Sequence, residues 1–143
     1  MMLKNNINDF IGIMIHRADL TLTSQMKKKL APYDITAEQN IIMLLLWNKD
    51  GVTQKEIAEQ LNKDQTNIAR MIFSLEKKGF IHRVTPEYDR RSLVVWLTEK
   101  GRELENLVAP LSLEFNQKIT EGLTEEELLD FKRIIAKIRQ NAC

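Results

Sequence analysis

The chain has 143 residues, 43% of them hydrophobic and 29% charged, with a formal net charge of +1. That length predicts one compact domain, or a small module with extensions, and the near-zero charge excludes a polymer binder that is basic throughout, so any nucleic-acid contact must rest on a local patch. One cysteine, Cys143, excludes an intrachain disulfide and a cysteine zinc cluster, and five glycines with three prolines suit a helical protein better than an all-β one.

In chain order, Ile7, Phe10, Ile11, Met14, Ala18, Leu22, Met26 and Leu30 form a helical stripe over residues 7–30. Ile13 and Ile15 widen it beyond what one small module can cover, which predicts a partner chain. His16 reads as an ordinary structural or surface histidine, and Lys27, Lys28 and Lys29 as the solvated end of the helix, where cations complement the dipole. Pro32 closes the element. Thr36 with Gln39 is a capping box opening a helix over residues 36–48, apolar from Ile41 to Trp47 and expected to be central and buried. Asp50 and Gly51 end it.

Thr53 with Glu56 opens a short helix to Leu61, with Ile57, Ala58 and Leu61 inside. Asn62 and Lys63 turn the chain, and Asp64 caps a helix reaching Gly79. There Ile68, Met71, Ile72 and Leu75 recur at i, i+3, i+4, i+7, the spacing of a buried stripe. Gln65, Thr66, Asn67, Arg70, Ser74 and Lys77 fall mostly on the opposite face. Amides, hydroxyls and guanidinium groups are what read base edges in a major groove, though the same face could simply be solvated. What precedes and follows the helix must decide: with the short helix before it, joined by a tight turn, it makes the helix-turn-helix pattern, in which the second helix enters the groove. Phe73 is out of place on that face.

After Gly79 the period changes from 3.6 to 2. Residues 80–85 and 92–98 read as two strands, with Leu93, Val95 and Leu97 on one face and Val94 and Trp96 on the other. The loop between them carries Asp89, Arg90 and Arg91. An arginine at a hairpin tip suits a narrow minor groove, and Asp89 two positions away can hold the Arg91 guanidinium in place. Thr98 caps a helix over residues 99–119 with Leu104, Leu107, Val108, Leu111, Phe115 and Ile119 as its stripe, and Pro110 should bend it. Gly122 separates it from a last helix, opened by the box Thr124–Glu127 and striped by Leu128, Phe131, Ile134, Ile135 and Ile138.

The expected fold is mainly α with a small β-hairpin wing: a winged helix-turn-helix over residues 35–101, flanked by dimerisation helices at residues 1–34 and 102–143 of a single domain. The longest apolar run is too short for a bilayer and no signal peptide is evident, so a soluble cytoplasmic protein is expected. No Ser/His/Asp, Cys/His or paired-carboxylate arrangement and no phosphate-binding glycine loop is present, so no enzyme, metal or cofactor is expected.

The runs Leu75-Glu76-Lys77-Lys78-Gly79-Phe80-Ile81, Asp89-Arg90-Arg91 and Leu97-Thr98-Glu99-Lys100-Gly101, at their joint spacing, resemble the signature of the MarR family of bacterial transcription regulators. The resemblance implies a triangular homodimer that binds pseudo-palindromic operators, most commonly as a repressor, and is often released by a small aromatic ligand or by oxidation. By position it implies major-groove roles for Gln65, Thr66, Asn67 and Arg70, wing roles for Asp89, Arg90 and Arg91, and phosphate positioning by Thr53 and Gln54. The chain departs from the pattern at Phe73, where a polar residue is usual, and lacks the first-helix cysteine of the oxidation-sensing branch. A winged helix that binds a protein partner instead of DNA is the alternative reading.

Overall fold

The computed structural model describes residues 6–87 and 92–143 and holds six α-helices and a three-stranded sheet among them. The chain divides into two units, Met1–Leu111 and Ser112–Cys143.

In the first unit the helical stripe expected from Ile7 is interrupted. Ile7–Asp9 is a 3-10 turn whose Asn6 side chain accepts the Asn8 amide at 3.0 Å. Phe10 is extended, and α1 proper is Ile11–Leu30. Leu30 is buried, whereas Ile11, Met14, Ile15 and Leu20 are exposed. A 3-10 turn Ala31–Tyr33 and a left-handed Asp34 then lead into α2, Ala37–Asn48, which has the complete Thr36–Gln39 box.

α2 is less enclosed than its composition predicts. Ile42, Met43 and Leu46 are buried, but Ile41 and Leu44 face outward. A helix apolar on all sides still presents one side to the core here, so composition alone overstates its burial. Asp50, just past the end of α2, makes one local and two long-range bonds: one carboxylate oxygen accepts the Gly51 and Leu97 amides at 3.0 and 2.8 Å, and the other takes the Arg102 guanidinium at 3.2 Å.

The hairpin wing proves to be two strands of a sheet of three. β1 is Val52–Thr53, β2 is Ile81–Val84 and β3 is Val94–Leu97, in the order β1-β3-β2, antiparallel throughout. Val95 and Leu97 are buried and Trp96 lies outside, as the alternation predicts. α3 is Gln54–Leu61 and α4 is Gln65–Lys77. Their packed faces, Ile57, Ala58, Ile68, Ile72 and Leu75, join Ile42, Met43, Leu46 and Val95 in one core.

α5, Glu99–Ile119, continues through Pro110 without interruption, so the proline does not end it. Thr98 accepts the Gly101 amide at 3.1 Å and donates its own hydroxyl to the Gly79 carbonyl. In the second unit Phe115 is buried on α5, and Thr124 and Glu127 form the complete capping box of α6, Glu125–Ala142. α6 buries none of its described residues, and Leu129, Phe131 and Ile134 are exposed.

Candidate nucleic-acid interface

The helix pair α3–α4 is built by local chemistry. Thr53 caps α3 by accepting the Glu56 amide at 3.1 Å, the hydroxyl half of the expected box. Asn62 adopts φ +53 and donates its amide to the Ala58 and Glu59 carbonyls, which reverses the chain within one residue of left-handed backbone. Asp64 caps α4. At its other end α4 closes in a Schellman arrangement: the Phe80 amide donates to the Leu75 carbonyl at 3.1 Å and the Gly79 amide to that of Glu76 at 2.9 Å, with Gly79 at φ +87. The Lys100 ammonium adds a bond to the Lys78 carbonyl at 2.8 Å.

Gln65, Thr66, Asn67 and Arg70 are all exposed on α4, away from the buried stripe. Two of them are already ordered. Asp64 accepts both the Asn67 backbone amide, at 2.8 Å, and the Asn67 side-chain amide, at 3.1 Å. The Asn67 oxygen in turn accepts from Arg70 at 3.3 Å. One capping carboxylate thus arranges an amide and a guanidinium, the two groups suited to adenine and guanine edges. Holding them before contact lowers the ordering loss on binding.

Ser74 does not belong to the exposed face expected for it. Its hydroxyl accepts from the Gln39 side-chain amide of α2 at 3.0 Å. Gln39 is buried, and its oxygen accepts from the Thr36 amide at 3.1 Å and the Lys78 ammonium at 3.0 Å. Lys78 also donates to the Asp34 carbonyl at 2.6 Å. This polar chain anchors the second half of α4 to α2, and sequence periodicity could not reveal it because the links that join the two segments span 35 to 44 positions.

Phe73 is exposed, and the guanidinium of Arg83 on β2 lies 5.7 Å from its ring centroid. Arg83 is itself gripped by Glu76: Nη2 and Nε approach Oε1 at 2.8 and 3.0 Å, and its backbone amide donates to Oε2 at 2.9 Å. Burial raises the Glu76 carboxyl, but the hydrogen bonds and charge of Arg83 outweigh it and hold the group below its ordinary value. Neither Glu76 nor Arg83 stands out as a site residue in the sequence.

Thr53 and Gln54 sit at the start of α3, but the Gln54 amide donates to the Leu93 carbonyl at 2.9 Å. A phosphate here would therefore meet the Gln54 side chain rather than that amide. Asp89, Arg90 and Arg91 lie outside the described residues. Among the described residues no group of three or more His, Cys, Asp or Glu could hold a metal ion, and no helix is long and apolar enough to cross a membrane.

A helix-turn-helix packed on a three-stranded sheet, with polar groups arrayed on its second helix, is the winged helix-turn-helix class. The MarR family model matches residues 35–93, the segment from just before α2 to just before β3. An uncharacterized HTH-type transcriptional regulator of Bacillus subtilis, YybA, is 26% identical over 137 residues, 96% of this chain and 89% of that one. The organic hydroperoxide resistance transcriptional regulator of the same organism is 34% identical over 88 residues, 62% of this chain and 60% of that one. Among solved structures, the Staphylococcus aureus MepR–DNA complex superposes with a TM-score of 0.83 at 25% identity, covering 94% of this chain and 97% of that one. Over residues 35–93 the chain carries the MarR family pattern, and along most of its length it is similar to an HTH-type transcriptional regulator.

Proposed function

We propose that the chain is a sequence-specific, DNA-binding transcription regulator that acts as a homodimer on a pseudo-palindromic operator, most commonly as a repressor, in the cytoplasm. The observation that carries this is the α4 face, where Asp64, Asn67 and Arg70 form one hydrogen-bonded row pointing away from the core. In this reading Gln65, Thr66, Asn67 and Arg70 read base edges in the major groove. Arg91, steadied by Asp89, enters the minor groove, Arg90 meets phosphate, and Thr53 and Gln54 position the backbone. The similarity to a regulator solved on DNA supports it.

Residues 35–101 form the reading module and residues 1–34 and 102–143 the dimerisation helices. Two-fold pairing would place the α4 helices on successive major grooves, about 34–36 Å apart. A small aromatic effector that alters this separation would release the operator, since its half-sites keep a fixed spacing.

The test is an operator titration with single variants. Arg70→Ala is expected to relax base preference at one position per half-site by about 1–3 kcal/mol, the worth of a bidentate contact. Arg91→Ala is expected to weaken binding at flanking sequence. Unchanged affinity and preference in both variants would remove these residues from the interface.

A further inference from the structure

Thr66, Arg70, Phe73 and Lys77 recur at i, i+4, i+7, i+11, so they line one side of α4, opposite the buried Ile68, Ile72 and Leu75. Phe73 is 55% exposed at the middle of that side. Lone apolar side chains on a surface are ordinary. This one differs in being braced: Arg83 lies over its ring, and Glu76 fixes Arg83 through both its side chain and its backbone amide. The brace joins α4 to β2, so the ring is held by a second element as well as by its own helix.

We propose that Phe73 is a specificity residue that packs against the 5-methyl group of a thymine in the major groove. This rests on the reading of α4 as the DNA-reading helix. The chemistry selects the target. A phenyl ring has no donor or acceptor for a base edge, and the thymine methyl is the apolar group that the major groove presents. Phe73 comes three residues after Arg70 on the same side of the helix, so it extends the polar row by one position. The Arg83–Glu76 brace limits the rotamer freedom the ring would lose on contact.

The experiment uses the full chain and a duplex recovered from a random-sequence pool by its binding. Each thymine is replaced in turn by deoxyuridine, which removes the methyl and leaves every hydrogen-bonding group. At one thymine per half-site the unaltered chain should lose affinity about four-fold, the worth of one buried methyl-sized group. Phe73→Ala should bind the thymine and deoxyuridine forms of that position equally, and Phe73→Leu, which keeps an apolar tip, should retain the discrimination. Because the side chain is exposed, circular dichroism and the unfolding midpoint of Phe73→Ala should match the parent.

Deoxyuridine sensitivity that is the same in Phe73→Ala and the parent would overturn the proposal while leaving α4 as the reader. So would a uniform loss of affinity with a shallower salt slope, which would mean that the ring only props Arg83. A parent chain that recovers no duplex from the pool would instead overturn the reading of α4, and the proposal with it.

Discussion

Gly101 has no room for a side chain. A Cβ there would lie 2.1 Å from the Phe80 carbonyl oxygen, a backbone atom that cannot swing away. The same few residues hold the Thr98 hydroxyl between the Gly79 carbonyl and the Gly101 amide, and the Trp47 indole N–H on the Gly101 carbonyl at 2.9 Å. Gly101→Ala should therefore destabilise the fold by about 1–3 kcal/mol, the usual range for overpacking. Denaturant unfolding should show a lower midpoint with an unchanged slope. Glu76 gives a pH signature at the same scale. Its carboxyl titrates below its ordinary value in the folded chain, so its stabilising effect is complete above the unfolded-state value and fades as pH falls toward the folded one. Glu76→Gln should lower stability at neutral pH and flatten the stability–pH curve across the acidic carboxylate range. Equal slopes in the two proteins would show that the Arg83 pair does not differ between folded and unfolded chains.

Among the elements, those with local chemistry are legible in the sequence. The boxes at Thr36–Gln39 and Thr124–Glu127 are both complete, because each needs only residues three apart. Asp64 and Gly79 bound α4 much as their residue types dictate. Hidden from the sequence is whatever depends on distant partners. β1 is two residues long and exists through its pairing with Val94 and Val95, over forty positions away. Ser74 looks like a surface residue until Gln39 of α2 is set against it. Phe73 acquires its neighbour from β2. α2 is hidden for a different reason: an apolar run carries no period to say which side faces out. For α6, Thr124→Ala should lose about 1 kcal/mol of helix stability by removing its cap, read as increased amide exchange in the first turn. Exchange unchanged from the parent would show that α6 is held by packing alone.

At the scale of the whole molecule, the two ends of the chain carry exposed apolar surface. Ile11, Met14 and Ile15 of α1 and Phe131 and Ile134 of α6 are uncovered, while α6 buries none of its described residues. Helices of this kind draw most of their stability from an apolar face packed against something. A second copy supplies that cover in the proposed homodimer. Phe131→Glu should then shift the chain toward monomer in sedimentation, and a sedimentation profile identical to the parent would place Phe131 outside the interface. In that proposal the dimer would also give α4 its selectivity, since one helix meets too few bases to choose a site and two at a fixed separation test both sequence and spacing.

The central claim, that this chain binds DNA through phosphate neutralisation and base reading together, is tested most directly by its affinity for a selected duplex and an unrelated one across salt. If each dimer makes about 6–10 phosphate contacts, affinity for the selected duplex should fall by about 10³–10⁵ between about 50 and 200 mM salt, and it should exceed that for the unrelated duplex at every concentration. No binding to either duplex at the lowest salt, or equal affinity for both, would contradict it.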